Sequence, residues 1–310
     1  KVEQEGSIII QGKYILDIVR KLPDKYINIE VVDELKILIY TENSEFNLNG
    51  ISESEYPNIG LEESKKKVHI KASVFKDIVN QTAFASSNEE SKPVLTGINF
   101  NIVGDVLECN STDSYRLARK VVKLDSASEE NYNIVIPSHN ILEFSRIIDE
   151  EDGDIELHIF NNKILFKTGN LKFESRLING TYPNTSNLLP DDSYLVVSTN
   201  LNAFYDVIDR VSILTSDKEK NIVTLETNGD MLILKSSSVE IGRVEEKMPI
   251  TKNNNEDIKI SFSAKYMMEA LKSFSTETVD IHFVGEIKPI LIKSSEDETL
   301  TQLVLPIRTY

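Results

Sequence analysis

Cysteine and tryptophan are nearly missing from this chain of 310 residues, which holds one Cys and no Trp. A single thiol closes no intrachain disulfide, so a stapled mini-scaffold is excluded, and the length suffices for two or three domains with cores of their own. Histidine is scarce as well. His69, His139, His158 and His282 show no HxxH or HExxH spacing, and one thiol makes no CxxC, so a metal centre of the usual sort is not expected. Neither GxGxxG nor GxxxxGK followed by Ser or Thr occurs, so nucleotide hydrolysis would have to come from a partner. Cys109, between Glu108 and Asn110 in a strand pattern, has no neighbouring His to activate it and is read as packed. The acidic run Asp149-Glu150-Glu151-Asp152 lacks the alternating ligands and the glycine of a calcium loop and is read as a solvated helix end. No catalytic residue, metal or cofactor is therefore expected. There is no long uncharged apolar stretch and no charged-then-apolar leader, which predicts a soluble cytoplasmic protein without a membrane partner. Positive charge is the last deficit. Lys+Arg 34 against Asp+Glu 50 leaves −16, which on a whole-surface view argues against nucleic acid. Against these absences, 40% hydrophobic residues with 11 Tyr and 12 Phe rule out a disordered acidic chain.

What is present is a repeat. IIIQGKYILDIVRKL (Ile8 to Leu22) aligns with IVIPSHNILEFSRII (Ile134 to Ile148) at a shift of 126, and twice that shift brings Lys13, Tyr14 and Asp17 onto Lys265, Tyr266 and Glu269. Tyr56-Pro57-Asn58 falls on Tyr182-Pro183-Asn184 at the same spacing. The other half of the unit occurs twice: VFKDIVNQTAFA (Val74 to Ala85) lies 126 before NLNAFYDVIDRV (Asn200 to Val211), followed by Gly104-Asp105 and Gly229-Asp230. The chain begins mid-unit without an initiator Met, so residues 1–66 are expected to be a partial domain, the second half only, with complete domains at 67–192 and 193–310. Each half-unit reads as one amphipathic helix followed by short alternating strands such as DIELHIF, KILFKT and PILIKS. The expected class is α+β, with two helices packed on two four-stranded antiparallel sheets in each unit.

At about 100° per residue, Lys13 and Arg20 share the face of their helix opposite Ile15, Ile18, Val19 and Leu22. The same arithmetic pairs His139 with Arg146 and Lys265 with Lys272, and Lys76 and Arg210 add bases to the other helix type. One such face is ordinarily just solvated, and Asp17, Glu143 and Glu269 sit beside these bases. Recurrence at equivalent places points further: copies arranged in an arc or ring would merge these bases into a positive stripe suited to phosphate backbones.

Comparison between copies also isolates what the repeat does not explain. STDSYRLARK (Ser111 to Lys120) occupies the place of SSSVEIGRVE (Ser236 to Glu245) without resembling it. Arg116 and Leu117 beside Tyr115 and Thr112 read as the lip of a shallow peptide pocket, with an apolar wall, one cation and one hydroxyl; the plainer alternative is a strand-to-loop corner with Asp113 as a turn residue.

TDSYRLA, FESRLINGTYPN (Phe173 to Asn184) and the terminal LVLPIRTY (Leu303 to Tyr310), in this order on a threefold repeat, resemble the bacterial DNA polymerase III beta subunit family, the replicative sliding clamps. The resemblance runs through the whole chain apart from about the family's first sixty residues. It implies repeated DNA-clamp domains in a ring formed by a head-to-tail homodimer, helices lining the hole and sheets outside. The function implied is a non-enzymatic processivity factor on double-stranded DNA, without sequence preference. It implies as partners a clamp loader, and replicative and repair polymerases that dock by linear peptides. By position, the family's peptide pocket falls on Leu95, Thr112, Tyr115, Arg116, Leu117, Pro183 and Leu188, with Leu303, Leu305, Pro306, Ile307 and Arg308 from the tail; Asn187 stands where several members carry Arg. Phe46 and Leu48 match positions of the family's dimer contact, facing a partner surface that includes Ile213 and Leu214. The alternative reading is a peptide-binding repeat scaffold that never surrounds DNA.

Overall fold

In the computed structural model, residues 1–33, 35–57, 60–151, 153–190, 193–215 and 221–308 are described. Asn58 of the repeated Tyr-Pro-Asn and Asp152 of the acidic run lie outside them. The chain divides into a unit of residues 1–60 and a unit of residues 61–310.

The first unit holds α1 (Gly12–Lys21) and an antiparallel sheet of β1 (Asn28–Asp33), β2 (Lys36–Tyr40) and β3 (Glu45–Asn49), in that order. Alternation sends Ile37 and Ile39 of β2 fully inside, opposite Leu48 and Phe46 of β3. The apolar face of α1 is covered only in part: Ile15 and Ile18 are half-buried and Val19 is exposed, because among the described residues no second α-helix lies within the unit.

The larger unit repeats one pattern. Its first half-unit has β4 (Val68–Lys71), α2 (Ala72–Thr82), β5 (Gly97–Val103), β6 (Val106–Thr112) and β7 (Arg116–Lys123). Next come β8 (Tyr132–Pro137), α3 (Ser138–Ile147), β9 (Asp154–Ile159), β10 (Lys163–Thr168) and β11 (Leu171–Arg176). The pattern returns as β12 (Leu195–Asn200), α4 (Leu201–Ser212), β13 (Ile222–Asn228), β14 (Met231–Ser238) and β15 (Gly242–Pro249). A short β16 (Thr251–Lys252) leads to β17 (Lys259–Ser263), α5 (Ala264–Lys272), β18 (Thr278–Phe283), β19 (Ile290–Ser294) and β20 (Asp297–Val304). The leading strand of each half-unit is given to the other half's sheet: β4 pairs with β9, β8 with β5, β12 with β18 and β17 with β13. The halves are thereby interlocked, and the helices pack in pairs, α2 with α3 and α4 with α5.

Phe75, Phe144 and Phe166 meet at the centre of one core with centroid separations of 5.4, 5.6 and 4.7 Å, each contact contributing about 1 kcal/mol beyond its area. Phe204, Phe262 and Phe283 anchor the other. One repeat register differs from the shift read in the sequence. Phe75 of α2 and Phe204 of α4 take the same place, 129 residues apart, not 126. The difference is absorbed in the connections from helix to next strand, where Ala83–Thr96 is longer than its counterpart. For α3 and α5 the spacing is 126, as Ile141 and Met267 show. Among the described residues no helix is long and apolar enough to cross a membrane.

The two repeats also fuse. The sheet of β5 to β8 and the sheet of β12 and β18 to β20 join edge to edge through β7 and β20, giving a nine-stranded order β16-β12-β18-β19-β20-β7-β6-β5-β8.

Candidate peptide-docking and DNA-facing surfaces

The β7–β20 joint is antiparallel, from Leu300 opposite Lys120 to Val304 opposite Arg116. Alternation gives it two faces of opposite character. On the helix side, Arg116 is one-tenth exposed and fully engaged. Its Nε donates to Asp113 Oδ2 at 3.0 Å, one terminal nitrogen meets the Glu269 carboxylate and the other donates to the Phe84 carbonyl at 2.7 Å. The guanidinium also lies over Tyr266, 4.7 Å from the ring centroid. Beyond it, Gln302 Nε2 donates to the Gln81 carbonyl and to Ser273 Oγ, each at 2.9 Å. Lys120 Nζ closes the row on Asp297 at 2.9 Å. Burial opposes ionisation of Asp297, but hydrogen bonds from Thr299 and Lys120 keep its carboxyl below the usual range.

On the opposite face Leu117, Leu291 and Leu303 are buried together with Leu189 and Leu305 packed against them. A second apolar cluster joins Leu95, Val135 and Tyr182 with Val94 and Ile178. Thr112 links the two: it is paired with Leu117, and the Tyr182 hydroxyl reaches its backbone without closing a hydrogen bond on it. Burial pushes the Tyr182 phenol up. Around these clusters Tyr115, Pro183 and Leu188 are exposed, and Tyr115 stacks with Tyr266 at 6.3 Å. The tail runs past as Leu305 N–H donates to the Tyr115 carbonyl and Ile307 N–H to that of Ser261. Leu305, Pro306 and Ile307 are half-buried, and Arg308 is exposed.

Of the pocket residues read from the sequence, Leu117, Leu303 and Leu305 share one cluster and Leu95 belongs to the other, while Arg116 and Thr112 differ from their expected parts. Arg116, read as the available cation of the lip, is committed inside the protein. Thr112, read as its hydroxyl, donates to the Arg116 carbonyl at 2.5 Å and accepts from Ser114 N–H. Asp113 is the turn residue, accepting from the backbone of Tyr115 and Arg116 and leaving Ser114 at φ 80. Sequence reasoning missed Leu189 and Leu291: Leu189 follows a single 3-10 turn outside any strand, and the apolar run of β19 gives no sign of which sheet face Leu291 completes.

The eight bases divide in the same way. Lys13 and Arg20 on α1, His139 on α3 and Lys265 on α5 are exposed, with no ion pair among the described residues. Arg146 pairs with Glu143, Arg210 holds both oxygens of Glu246, Lys76 Nζ donates to the Ile148 carbonyl at 3.0 Å, and Lys272 lies over the Tyr205 ring at 5.3 Å.

Glu63, Glu156 and His158 are the one trio of potential metal ligands among the described residues. Lys67, Lys167 and Lys172 already neutralise both carboxylates, and hydrogen bonds from Lys167 and Lys172 hold Glu63 down to about 2. Ser64 N–H donates to His158 Nδ1, leaving Nε2 for Glu156. The trio is a strap for the segment before β4. Cavities of about 370 and 440 Å³ lie elsewhere, at equivalent places beside the starts of α2 and α4, and neither includes a predicted docking residue. Cys109 is buried, and burial pushes its thiol well up, away from nucleophilic use.

Fold and surface together define a binding protein built from clamp-type repeats, with no assembled reactive centre among the described residues. Family models for the DNA polymerase III beta subunit match its N-terminal domain over residues 1–60, its central domain over 69–184 and its C-terminal domain over 186–308. The chain is 37% identical to the beta sliding clamp of Staphylococcus epidermidis and 38% identical to that of Staphylococcus aureus, covering 100% of this chain and 82% of each relative. The crystal structure of the DNA polymerase sliding clamp from Bacillus subtilis matches at 37% identity with a TM-score of 0.94, over 100% of this chain and 82% of that one. The chain belongs to the DNA polymerase III beta subunit family, the non-enzymatic sliding clamps of DNA replication.

Proposed function

We propose that this protein acts as a cytoplasmic processivity clamp that encircles duplex DNA as a head-to-tail dimer and tethers polymerases and a clamp loader through the face over Leu117 and Leu303. The observation that carries this reading is the family match in all three parts of the chain, joined to a two-faced β7–β20 joint whose outer side is apolar and partly open. The domains in this reading are residues 1–66, 67–192 and 193–310.

The mechanism is topological. A closed ring cannot leave a duplex sideways, so weak contacts to phosphate suffice and sliding is not hindered. Lys13, Arg20, His139 and Lys265 supply those contacts, while Lys76, Arg146, Arg210 and Lys272 shape the same helices through their internal partners. A polymerase tail with leucine or phenylalanine anchors settles among Leu95, Leu117, Leu303 and Leu305 beneath the rim of Tyr115, Pro183 and Leu188. Tethering then raises the polymerase's effective concentration at the template. Asp113 and Glu269 occupy Arg116, so a charged anchor on the peptide would meet Arg308 instead.

Retention on DNA tests the reading. Loaded protein should remain on nicked circular DNA and be lost once the circle is linearised; equal retention on both would leave only the peptide-binding scaffold.

A further inference from the structure

The cavities beside the starts of α2 and α4 are one feature of the repeat built twice. Ala72 N–H donates to the Gly153 carbonyl as Leu201 N–H does to that of Glu277, and Leu124 N–H donates to the Asp105 carbonyl as Ile250 N–H does to that of Asp230. These matched bonds set His69 and Lys71 against Ser198 and Asn200, Lys123 and Asp125 against Pro249 and Thr251, and Asp154 against Thr278. Each of these residues lines its cavity. Every ionisable side chain of the first lining is thus replaced by an uncharged one in the second.

The first cavity, of about 370 Å³, meets its charges internally: Lys71 pairs with Asp125 and Lys123 with Asp105, each at 3.2 Å. The second, of about 440 Å³, is different in kind. Met248, Ile250 and Thr199 form a buried floor, and Ala203, Pro249 and Thr251 stand exposed around the mouth. Thr199 takes the place of Ile70, so a hydroxyl enters the floor where the first repeat has only carbon. The hydroxyls of Ser198 and Thr278 are engaged by the Asp280 and Glu296 carboxylates, and Asn200 Oδ1 accepts from Ala203 N–H at 2.9 Å. The Thr199 hydroxyl, in a residue 7% exposed, and the Asn200 amide nitrogen have no hydrogen-bond partner among the described residues.

A nearly buried hydroxyl without a partner is a group that a ligand can satisfy, and a concave, mostly apolar lining with a few convergent polar groups is what small-molecule sites have in common. We propose that the second cavity binds a small uncharged molecule, an apolar ring carrying a carboxamide. The ring lies against the Met248 thioether and Ile250, and the amide oxygen accepts from the Thr199 hydroxyl or the Asn200 amide. Charge decides the class. An anion would be buried with no cation in the lining and with Asp280 and Glu296 behind the mouth, and a cation would find those two carboxylates already accepting hydrogen bonds. The first cavity, with its lysines and carboxylates paired, offers no such neutral surface. The repeat therefore supplies the hollow in both places, and side-chain replacement in the second turns it into a site.

Methyl-labelled methionine in the full chain reads this cavity directly, because the chain has 4 Met and a spectrum of Met248→Leu identifies the Met248 signal. Titrating nicotinamide should move that signal most, along a saturable curve with a dissociation constant of about 1–10 mM, the range open to so small a molecule. Nicotinate, the same ring with a carboxylate in place of the amide, should bind at least about tenfold more weakly. Ala203→Leu fills the mouth from an exposed helix position and should abolish the shift, while Thr199→Val should weaken nicotinamide several-fold with the rest of the spectrum kept. A Met248 signal that never saturates, that answers nicotinate as strongly as nicotinamide, or that saturates unchanged in Ala203→Leu overturns the site.

Discussion

Arg116 concentrates the energetics of the larger unit in one side chain. Its guanidinium joins Asp113, Glu269, the Phe84 carbonyl and the Tyr266 ring, so it bridges the two repeats from a largely dry position. Removing one partner from such a set leaves the others buried and unpaired, and the half-exposed Glu269 keeps the loss near the low end of what buried pairs cost. Arg116→Ala should therefore destabilise the protein by about 3 kcal/mol in urea unfolding. Lysine should not restore it, because an ammonium lacks the planar fork that reaches three directions. Leu188→Ser is the contrasting change. At an exposed rim position it should move stability by less than about 0.5 kcal/mol while weakening binding of a polymerase tail peptide in a titration. A docking test made at Arg116 would confuse the two effects.

Helices carry the next level. Each has an apolar face set by spacing, and that face was legible in the sequence because i, i+3, i+4 neighbours come from one local stretch: Phe75, Ile78 and Val79 recur as Phe204, Val207 and Ile208. Which of the outward bases are available was not legible. Arg210 and Lys265 look alike in sequence, but only Arg210 meets a strand carboxylate, Glu246, that the fold brings alongside. Changing Lys13, Arg20 and Lys265 together to Glu should slow loading on DNA several-fold at low salt, with the effect fading as ionic strength rises. Arg210→Gln should leave loading nearly unchanged. Equal effects of the two variants would mean that the internal pairs do not hold in solution.

At the scale of the molecule, the shared nine-stranded sheet decides cooperativity. The two repeats of residues 61–310 each have a core, yet β7 and β20 bond along their length and Arg116, Gln302 and Lys120 cross between them. Opening one repeat would strip partners from the other. Hydrogen exchange should therefore show β6 and β19 opening at one common free energy, with no separate step for either repeat. Distinct opening energies would mean that the joint is a hinge. The −16 net charge belongs at this scale too, since an acidic protein can still keep Lys13, Arg20, His139 and Lys265 exposed on its helices without an ion pair among the described residues.

By itself the sequence determined the repeat and the strand and helix faces, because each is carried by periodicity or by neighbours in the chain, and it offered the turn at Asp113 as one of two readings. Only the tertiary structure decided that β7 and β20 become neighbours and that Arg116 is engaged with Glu269. The physical reason is distance along the chain. Partners 153 residues apart leave no local pattern, and whether a charge is available or committed depends on them.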